Sequence, residues 1–378
     1  MSTIHWTEGP THQSARWHSE NGTPLPQRVV VADDRMKADD AHRQACEGTA
    51  LLWQGDFHNA RQLLQAMGRC IDRKPPRLNT PPSESFHLHR RASSHRARVL
   101  GKLLVLLDAD HTLALRRAPD VRQACRETYG PPDGPMVVSL RELLGVIGAH
   151  QWRVKGVDVP ALGTRVHPHY GVFAPVRGEY VDLVARTPLP PVTRHSPATT
   201  TAFDLGTGTG VLAAVLARRG FNRVVATDIS PRALACAQEN IHRLALADCI
   251  DVAGPCLFPE GRADLIVCNP PWLPARPTSP IEQGVYDADS NMLRGFLAGL
   301  SAHLRPGGEG WLILSDLAEH LGLRTRPQLL AAIQAAHLRV ADKIDTKPRH
   351  SRSKNTADPL HDARSAETTS LWRLIAAA

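Results

Sequence analysis

From residue 199 onward, apolar and polar positions fall into a regular order of short runs. "TTTAFDLG", "RVVATD", "CIDVAG", "ADLIVCN" and "GWLILSD" are compact apolar runs closed by Gly, Asp or Asn, and each reads as a buried strand. Between them, "VLAAVLARRG", "SPRALACAQENIHRLAL" and "NMLRGFLAGLSAHL" repeat apolar residues at helical spacing. Ser230 followed by Pro231 is a favoured helix entry, since Ser caps and Pro fits the first turn. Strands alternating with helices predict parallel β-α-β units and a sheet covered on both faces.

Upstream the pattern changes. Residues 1–45 are polar and irregular and are expected to be ordered only in part. "GTALLWQGDFHNARQLLQAMGRCI" (48–71), "FHLHRRASSHRARVLGKLLVLLD" (86–108), "APDVRQACRETYG" (118–130) and "SLRELLGVIGAH" (139–150) read as helices, the last capped by Ser139. Residues 46–150 are therefore expected to form a mostly helical auxiliary domain that selects the substrate. Residues 151–197 read as a connecting β-hairpin, a short helix "GEYVDLVAR" and a Pro-rich linker. The α/β domain then occupies residues 198–378. No internal repeat is visible.

Composition narrows the class. At 378 residues the chain is long enough for two domains. No run approaches 18 apolar residues, so neither a membrane span nor a membrane partner is expected. The first 20 residues lack the apolar core of a secretory signal. The seven Cys form no C-x-x-C pair, which argues against disulfides or a metal site and fits a reducing cytoplasm. Cys268 reads as a small buried strand residue rather than a nucleophile. Residues 61–126 hold 14 Lys and Arg against 5 Asp and Glu, a local surplus that can bind polyanions but reads slightly better as a solvated, Arg-rich surface.

The candidate chemistry lies in two loops. "DLGTGTGV" (204–211) joins the first strand to the first helix. Gly206, Gly208 and Gly210 allow a sharp turn and close approach of a ligand. The spacing is G-x-G-x-G, and Val211 stands where a dinucleotide loop needs its third Gly. Asp204 before the loop would repel a pyrophosphate but attract a cationic amino-acid group. Asp228, ending the next strand, can accept both hydroxyls of a ribose. A phosphate-free nucleoside carrying a cationic amino acid is S-adenosylmethionine.

The second loop is "CNPPW" (268–272). Pro270 and Pro271 stop the strand and remove backbone donors, leaving carbonyls that only accept. The Asn269 side-chain oxygen and the Pro270 carbonyl are two neighbouring acceptors that suit a planar NH₂ group. Holding both hydrogens turns the nitrogen lone pair toward an electrophile and stabilises the charge that grows on it. Trp272 offers a flat face on which a planar acceptor can stack.

"DLGTGTG", "TDIS" and "DLIVCNPPW" together resemble the class I S-adenosylmethionine-dependent methyltransferases, in particular the small-domain group. That group includes the release-factor glutamine and ribosomal RNA guanine-N2 methyltransferases. The resemblance covers residues 165–376. It implies a doubly wound, seven-stranded Rossmann-like sheet ending in an antiparallel hairpin, "LRVADKID" (338–345) with "TTSLWRLIA" (368–376). It further implies that Asp204, Gly206, Thr207, Gly208 and Gly210 hold the methionine part of the cofactor. Asp228 would take the ribose, Ile229 would flank the adenine, and Asn269 to Trp272 would hold the acceptor nitrogen. "FAPVRGEY" stands where the glutamine enzymes carry a strip that closes over the cofactor, with Arg177 and Glu179 as candidates there. The chain departs from the family in carrying Cys256 where an acid usually meets the adenine amino group.

Other residues attract weaker readings. His87, His89 and His95 lie on a basic helix face rather than at metal-ligand spacing. "DTKPRHSRSKN" (345–355) is a phosphate-binding loop or an unstructured one. Asp289 or Ser290 is expected to cap the following helix, and Asp316 to serve a turn. The expected activity is methyl transfer to a planar nitrogen, either a base amine of RNA or DNA, favoured by the basic surplus, or a protein Gln or Asn amide. A metabolite-amine methyltransferase and a non-catalytic module that keeps the fold are the alternatives.

Overall fold

The computed structural model describes residues 2–73, 80–195, 199–348 and 358–377. The chain divides into two compact units. One comprises residues 1–80 and 87–151, the other residues 81–86 and 152–378.

The first unit contains β1 (Thr3–Glu8), β2 (Thr11–Trp17), β3 (Val29–Ala32), α1 (Ala38–Cys46), β4 (Ala50–Trp53) and α2 (Phe57–Asp72). It continues through most of α3 (Pro82–Leu100), then β5 (Leu103–Leu107), α4 (Arg122–Tyr129), β6 (Met136–Ser139) and most of α5 (Leu140–Lys155). Its six strands form one sheet in the order β1-β2-β6-β5-β4-β3. One expectation is corrected here, since residues 1–45 supply three strands. Residues 46–150 carry more helix than strand, and their three strands complete one sheet with those of residues 1–45.

The reason is visible in the cores. Leu51, Trp53, Leu103, Val105 and Val138 face one side, with α1, α2 and α5 packed against them. Leu52, Leu104 and Val137 face the other side, against Ile4, Trp6 and Ala15 of the first hairpin. "ALLW" and "LLVLL" are apolar on both faces, so they show no period of two and merge by eye with the helices beside them. Ser139 ends β6, and its hydroxyl makes no hydrogen bond.

The second unit opens with the antiparallel hairpin β7 (Val157–Val159) and β8 (Thr164–Val166). There follow α6 (Glu179–Arg186), α7 (Val192–His195), β9 (Thr201–Leu205), α8 (Val211–Arg218), β10 (Arg223–Thr227), α9 (Pro231–Arg243), β11 (Ile250–Ala253) and β12 (Ala263–Cys268). It closes with α10 (Asn291–His303), β13 (Leu304–Ser315), α11 (Leu317–His320), α12 (Arg326–Ala335), β14 (Leu338–Thr346), α13 (His361–Ala366) and β15 (Thr369–Ala376). The seven-stranded sheet runs β11-β10-β9-β12-β13-β15-β14. β15 is antiparallel to both its neighbours, as expected for the closing hairpin.

Alternate residues of these strands serve two cores. Ala202, Leu265, Val267 and Ile313 pack with α6, α8 and α9, while Phe203, Ile266, Cys268 and Leu312 pack with α10 and α12. The hairpin β7–β8 and helix α6 contribute Val157, Val159, Val166, Tyr180 and Val184 to the first of these cores. Residues 152–195 therefore belong to the second unit, which corrects their reading as a connector.

The strand order reverses between β9 and β12. The chain leaves β9 toward β10 and β11, then returns to lay β12 on the other side. Doubly wound sheets open a crevice at such a point, over the carboxyl ends of the strands. Both candidate loops leave from there, since the last residues of β9 and β12, Leu205 and Cys268, are partners in register.

Candidate active site

The glycine loop is held from below by its own aspartates. Asp204 is buried within β9. Its Oδ2 accepts from the Thr207 hydroxyl at 2.6 Å and from the Ala213 amide at 2.9 Å. Burial pushes its carboxyl up to about 6, and the two hydrogen bonds offset only part of that rise. Thr207 thus acts on Asp204 and is itself buried.

Asp228 follows β10. It accepts from the Gly208 amide at 3.1 Å and the Ser230 amide at 2.9 Å. Burial raises its carboxyl above the ordinary range, against the pull of these bonds. A carboxylate offers about four lone-pair sites, so two remain for a pair of hydroxyls. Beside it, Ile229 leaves 72 % of its surface in solvent, an apolar face of the kind that would flank an adenine.

Gly206, at φ 72°, has the backbone that L side chains rarely adopt, and a Cβ there would collide with Met292 Cε. At Gly208, at φ 55°, nothing lies within 4 Å of where a Cβ would stand. That open space between Asp204 and Asp228 is a cradle that a side chain would fill, and it fits the methionine part of S-adenosylmethionine. Gly210 instead packs on the backbone of Ala237 in α9, so its role is close helix packing. Ser230 caps α9 by accepting from the Ala233 amide, with Pro231 in the first turn, as expected.

The loop that carries Cys256 is tied to the end of β10, because the Cys256 amide donates to the Asp228 carbonyl at 3.3 Å. A Cβ at Gly254 would meet the same carbonyl.

In the second loop Pro270 is buried and Asn269 half-buried. The Trp272 indole Nε1 donates to Asn269 Oδ1 at 2.9 Å. One face of the indole carries the Arg177 guanidinium, 5.5 Å above the ring centroid. The expected free stacking platform is corrected on that point. Trp272 orients Asn269, and its ring also packs against both cores of the sheet. A carbonyl oxygen has two lone pairs, so Asn269 keeps one for an incoming N–H.

The segment before α6 runs across this crevice. The His167 amide donates to Asn240 Oδ1, and His169 pairs with Glu239 of α9. Val172 packs on Ala233 and Cys236, and Phe173 lies against Gly284. Arg177 then meets Trp272 and Glu367. Glu179 is buried at the first turn of α6.

Several weaker readings resolve. Ser290 stands at the N-cap of α10 without a side-chain cap bond, and Asp287 supplies that bond, its Oδ2 accepting from the Met292 and Leu293 amides. Asp316 bonds the Thr368 amide at 2.7 Å and so locks β13 to β15. The Cys268 thiol is fully buried, and burial holds it well above the ordinary range, which suits a packing residue. Among the described residues no His, Cys, Asp and Glu cluster could hold a metal ion, and no helix is long and apolar enough to cross a membrane. Most of the basic loop at 345–355 lies outside the described residues.

The basic surplus of residues 61–126 is also altered. Arg116 and Arg117 both bind Asp56, Arg73 binds Asp39, and Arg96 binds Asp72. Three acids in these contacts, Asp34, Asp39 and Asp56, lie outside that stretch of sequence. Acids from outside the stretch thus meet three of its nine surplus positive charges within the first unit.

Sequence reasoning missed Met292, Ser315 and Glu367 at this site. Each is a single residue with no motif around it, and only the fold brings it to the crevice.

Residues 163–337 match the family model described as the methyltransferase small domain. A release factor glutamine methyltransferase of Cereibacter sphaeroides is 34% identical over 164 residues, which is 39% of this chain and 57% of that protein. One of Moorella thermoacetica is 40% identical over 118 residues, covering 30% of this chain and 42% of that protein. A ribosomal protein L11 methyltransferase of Pelotomaculum thermopropionicum is 48% identical over 71 residues, or 18% of this chain and 23% of that protein. The chain thus spans less than two thirds of the length of each of these relatives.

Proposed function

We propose, from the match of residues 163–337 to the methyltransferase small domain model, that this chain is an S-adenosylmethionine-dependent N-methyltransferase acting on a side-chain amide of a protein. The observation that carries this reading is the placement of Asn269, oriented by Trp272, at the end of β12 beside the Asp204–Gly208–Asp228 cradle.

In this reading Asp228 takes the ribose hydroxyls and Ile229 the adenine face. The Asp204 carboxylate draws the cationic amino-acid end toward the glycine loop. S-adenosylmethionine supplies an electrophilic methyl on a sulfonium. The acceptor amide is a weak nucleophile because its lone pair is delocalised. Asn269 Oδ1 and the Pro270 carbonyl take its two hydrogens and direct that lone pair at the methyl carbon. They also stabilise the positive charge that builds on nitrogen as the C–N bond forms and the C–S bond breaks. The nitrogen then releases one proton to water.

The names of the relatives favour a protein acceptor over the nucleic acid suggested by the basic surplus. The internal pairing of Arg73, Arg96, Arg116 and Arg117 points the same way.

The test is to incubate the purified protein with methyl-labelled S-adenosylmethionine and an extract of cells lacking its gene. Label released by protease and recovered as N-methylated glutamine or asparagine is the expected result. Label released by nuclease alone would make the acceptor a nucleic-acid base, and label in the low-mass fraction a metabolite. Absence of transfer to any fraction would favour a binding module.

A further inference from the structure

Glu367 lies just before β15 and has no exposed surface. Its Oε1 accepts from the Ser315 hydroxyl at 2.7 Å and from Arg177 Nη1 at 3.1 Å. Its Oε2 has no hydrogen-bond partner. A carboxylate that far from water must be held by a cation, and Arg177 is the cation that pairs with it. Ser315 is itself fixed, because its hydroxyl accepts from the Leu317 amide at 3.0 Å.

Arg177 cannot swing freely while it neutralises this buried charge. Its guanidinium is only 17% exposed, and it rests over the Trp272 ring. A guanidinium over an indole face is attracted by the ring quadrupole, most strongly where water is excluded. The indole held there points Nε1 at Asn269 Oδ1. A continuous set of contacts thus runs from the end of β13, through Glu367 and Arg177, to the side chain that would hold the acceptor nitrogen.

We propose that Arg177 and Glu367 are positioning residues for the transfer step. They fix the Trp272 indole, and through it the one rotamer of Asn269 that presents Oδ1 to the acceptor. Arg177 stands in the strip that resemblance placed over the cofactor. Its contacts direct it to the acceptor side instead. The kinetic part of this inference rests on the methyltransferase reading, whereas the geometric part does not.

The experiment therefore has two readouts on the full chain. The first is the indole ¹H–¹⁵N resonance of Trp272, assigned by its loss in Trp272→Phe. In Arg177→Gln and in Glu367→Gln that resonance should shift, and its exchange with solvent should quicken. An unmoved resonance in both variants would overturn the inference, whether or not the protein transfers methyl groups. If the resonance moves but the native protein methylates nothing, the functional reading fails and the geometric relay stands.

The second readout is steady-state kinetics. Arg177→Gln should lower kcat by about tenfold, the scale of one lost cation–π contact with its ordered hydrogen bond. KM for the acceptor and the dissociation constant for S-adenosylmethionine should change less than about threefold. In a Trp272→Phe background the same substitution should cost less than about twofold, because the indole N–H it positions is already gone. An equal loss in both backgrounds would overturn the relay. So would a loss confined to cofactor affinity, which would return Arg177 to the cofactor strip. Glu367→Gln retains the shape and serves if Arg177→Gln folds poorly.

Discussion

The Trp272 indole Nε1 lies 2.9 Å from Asn269 Oδ1, three residues back along the same loop. The motif is thereby self-orienting, since its aromatic residue fixes the amide of its first residue. Two substitutions separate the roles. Asn269→Ala should lower kcat by roughly 10²–10³-fold, the usual scale for a lost transition-state acceptor or donor. Trp272→Phe keeps an aromatic face and removes the donor, so its loss should be nearer tenfold, a single net hydrogen bond. Calorimetry should find S-adenosylmethionine bound by both variants with little change.

Asp204 gives a pH dependence. Its pKa in the fold is about 6 against an ordinary 3.8. A raised acid binds protons more readily folded than unfolded, so stability falls as pH rises from about 4 to about 6 and then levels. Asp204→Asn removes the buried charge. Its gain in unfolding free energy should be larger at pH 7.5 than at pH 5, up to about 3 kcal/mol. Denaturant titrations at the two pH values read this difference. Affinity for the cationic cofactor should move oppositely in the native protein and weaken below about pH 6 as the carboxylate protonates.

In the proposed reading Asp228 acts on cofactor affinity. Its carboxylate aligns the Gly208 and Ser230 amides and keeps room for two hydroxyls. Hydrogen bonds to charged groups contribute about 1.5–3 kcal/mol, so Asp228→Ala should weaken S-adenosylmethionine binding by roughly 10–100-fold. A matching loss for sinefungin, and a far smaller one for free methionine, would locate the effect at the ribose.

Gly206 has two reasons to be glycine. Its φ is 72°, and Met292 Cε stands where a Cβ would go. Gly206→Ala should therefore weaken cofactor binding and lower the melting temperature. Adding Met292→Ala removes the collision but not the backbone strain, typically about 1–2 kcal/mol. The double variant should regain part of the lost stability and no more, as thermal melts would record.

The first unit has its own charged anchor in Asp56. It caps α2 through the His58 and Asn59 amides and binds Arg116 and Arg117. These partners hold its carboxyl far below the ordinary range, with the Arg117 bonds the largest influence. A depressed acid stabilises the fold above its unfolded pKa, and that support is lost as pH falls below the usual carboxylate range. Asp56→Ala should lower the melting temperature at pH 7 and shrink the wild-type loss of stability on acidification. Circular dichroism melts of the full chain at pH 7 and at about pH 2 would show both effects.

The sequence by itself determined the seven-stranded half of the molecule. Strands β9 to β12 and the second half of β13 are short apolar runs with a polar stop, and Ser230–Pro231 marks a helix start that the fold keeps. It also marked Asp204, the glycine loop, Asp228 and Asn269, because these roles depend on residue type at a strand end, which local spacing records. Tertiary structure decided what local spacing does not record. "ALLW" and "LLVLL" became central strands because helices and a hairpin bury both their faces. Residues 152–195 joined the second unit because Val157, Val166 and Tyr180 fill the core on one face of its sheet. Arg177, Trp272 and Glu367 meet only after β13 and β15 have paired. Their separation along the chain is large, and buried charge pairs of that kind are chosen by the fold's geometry rather than by any local pattern.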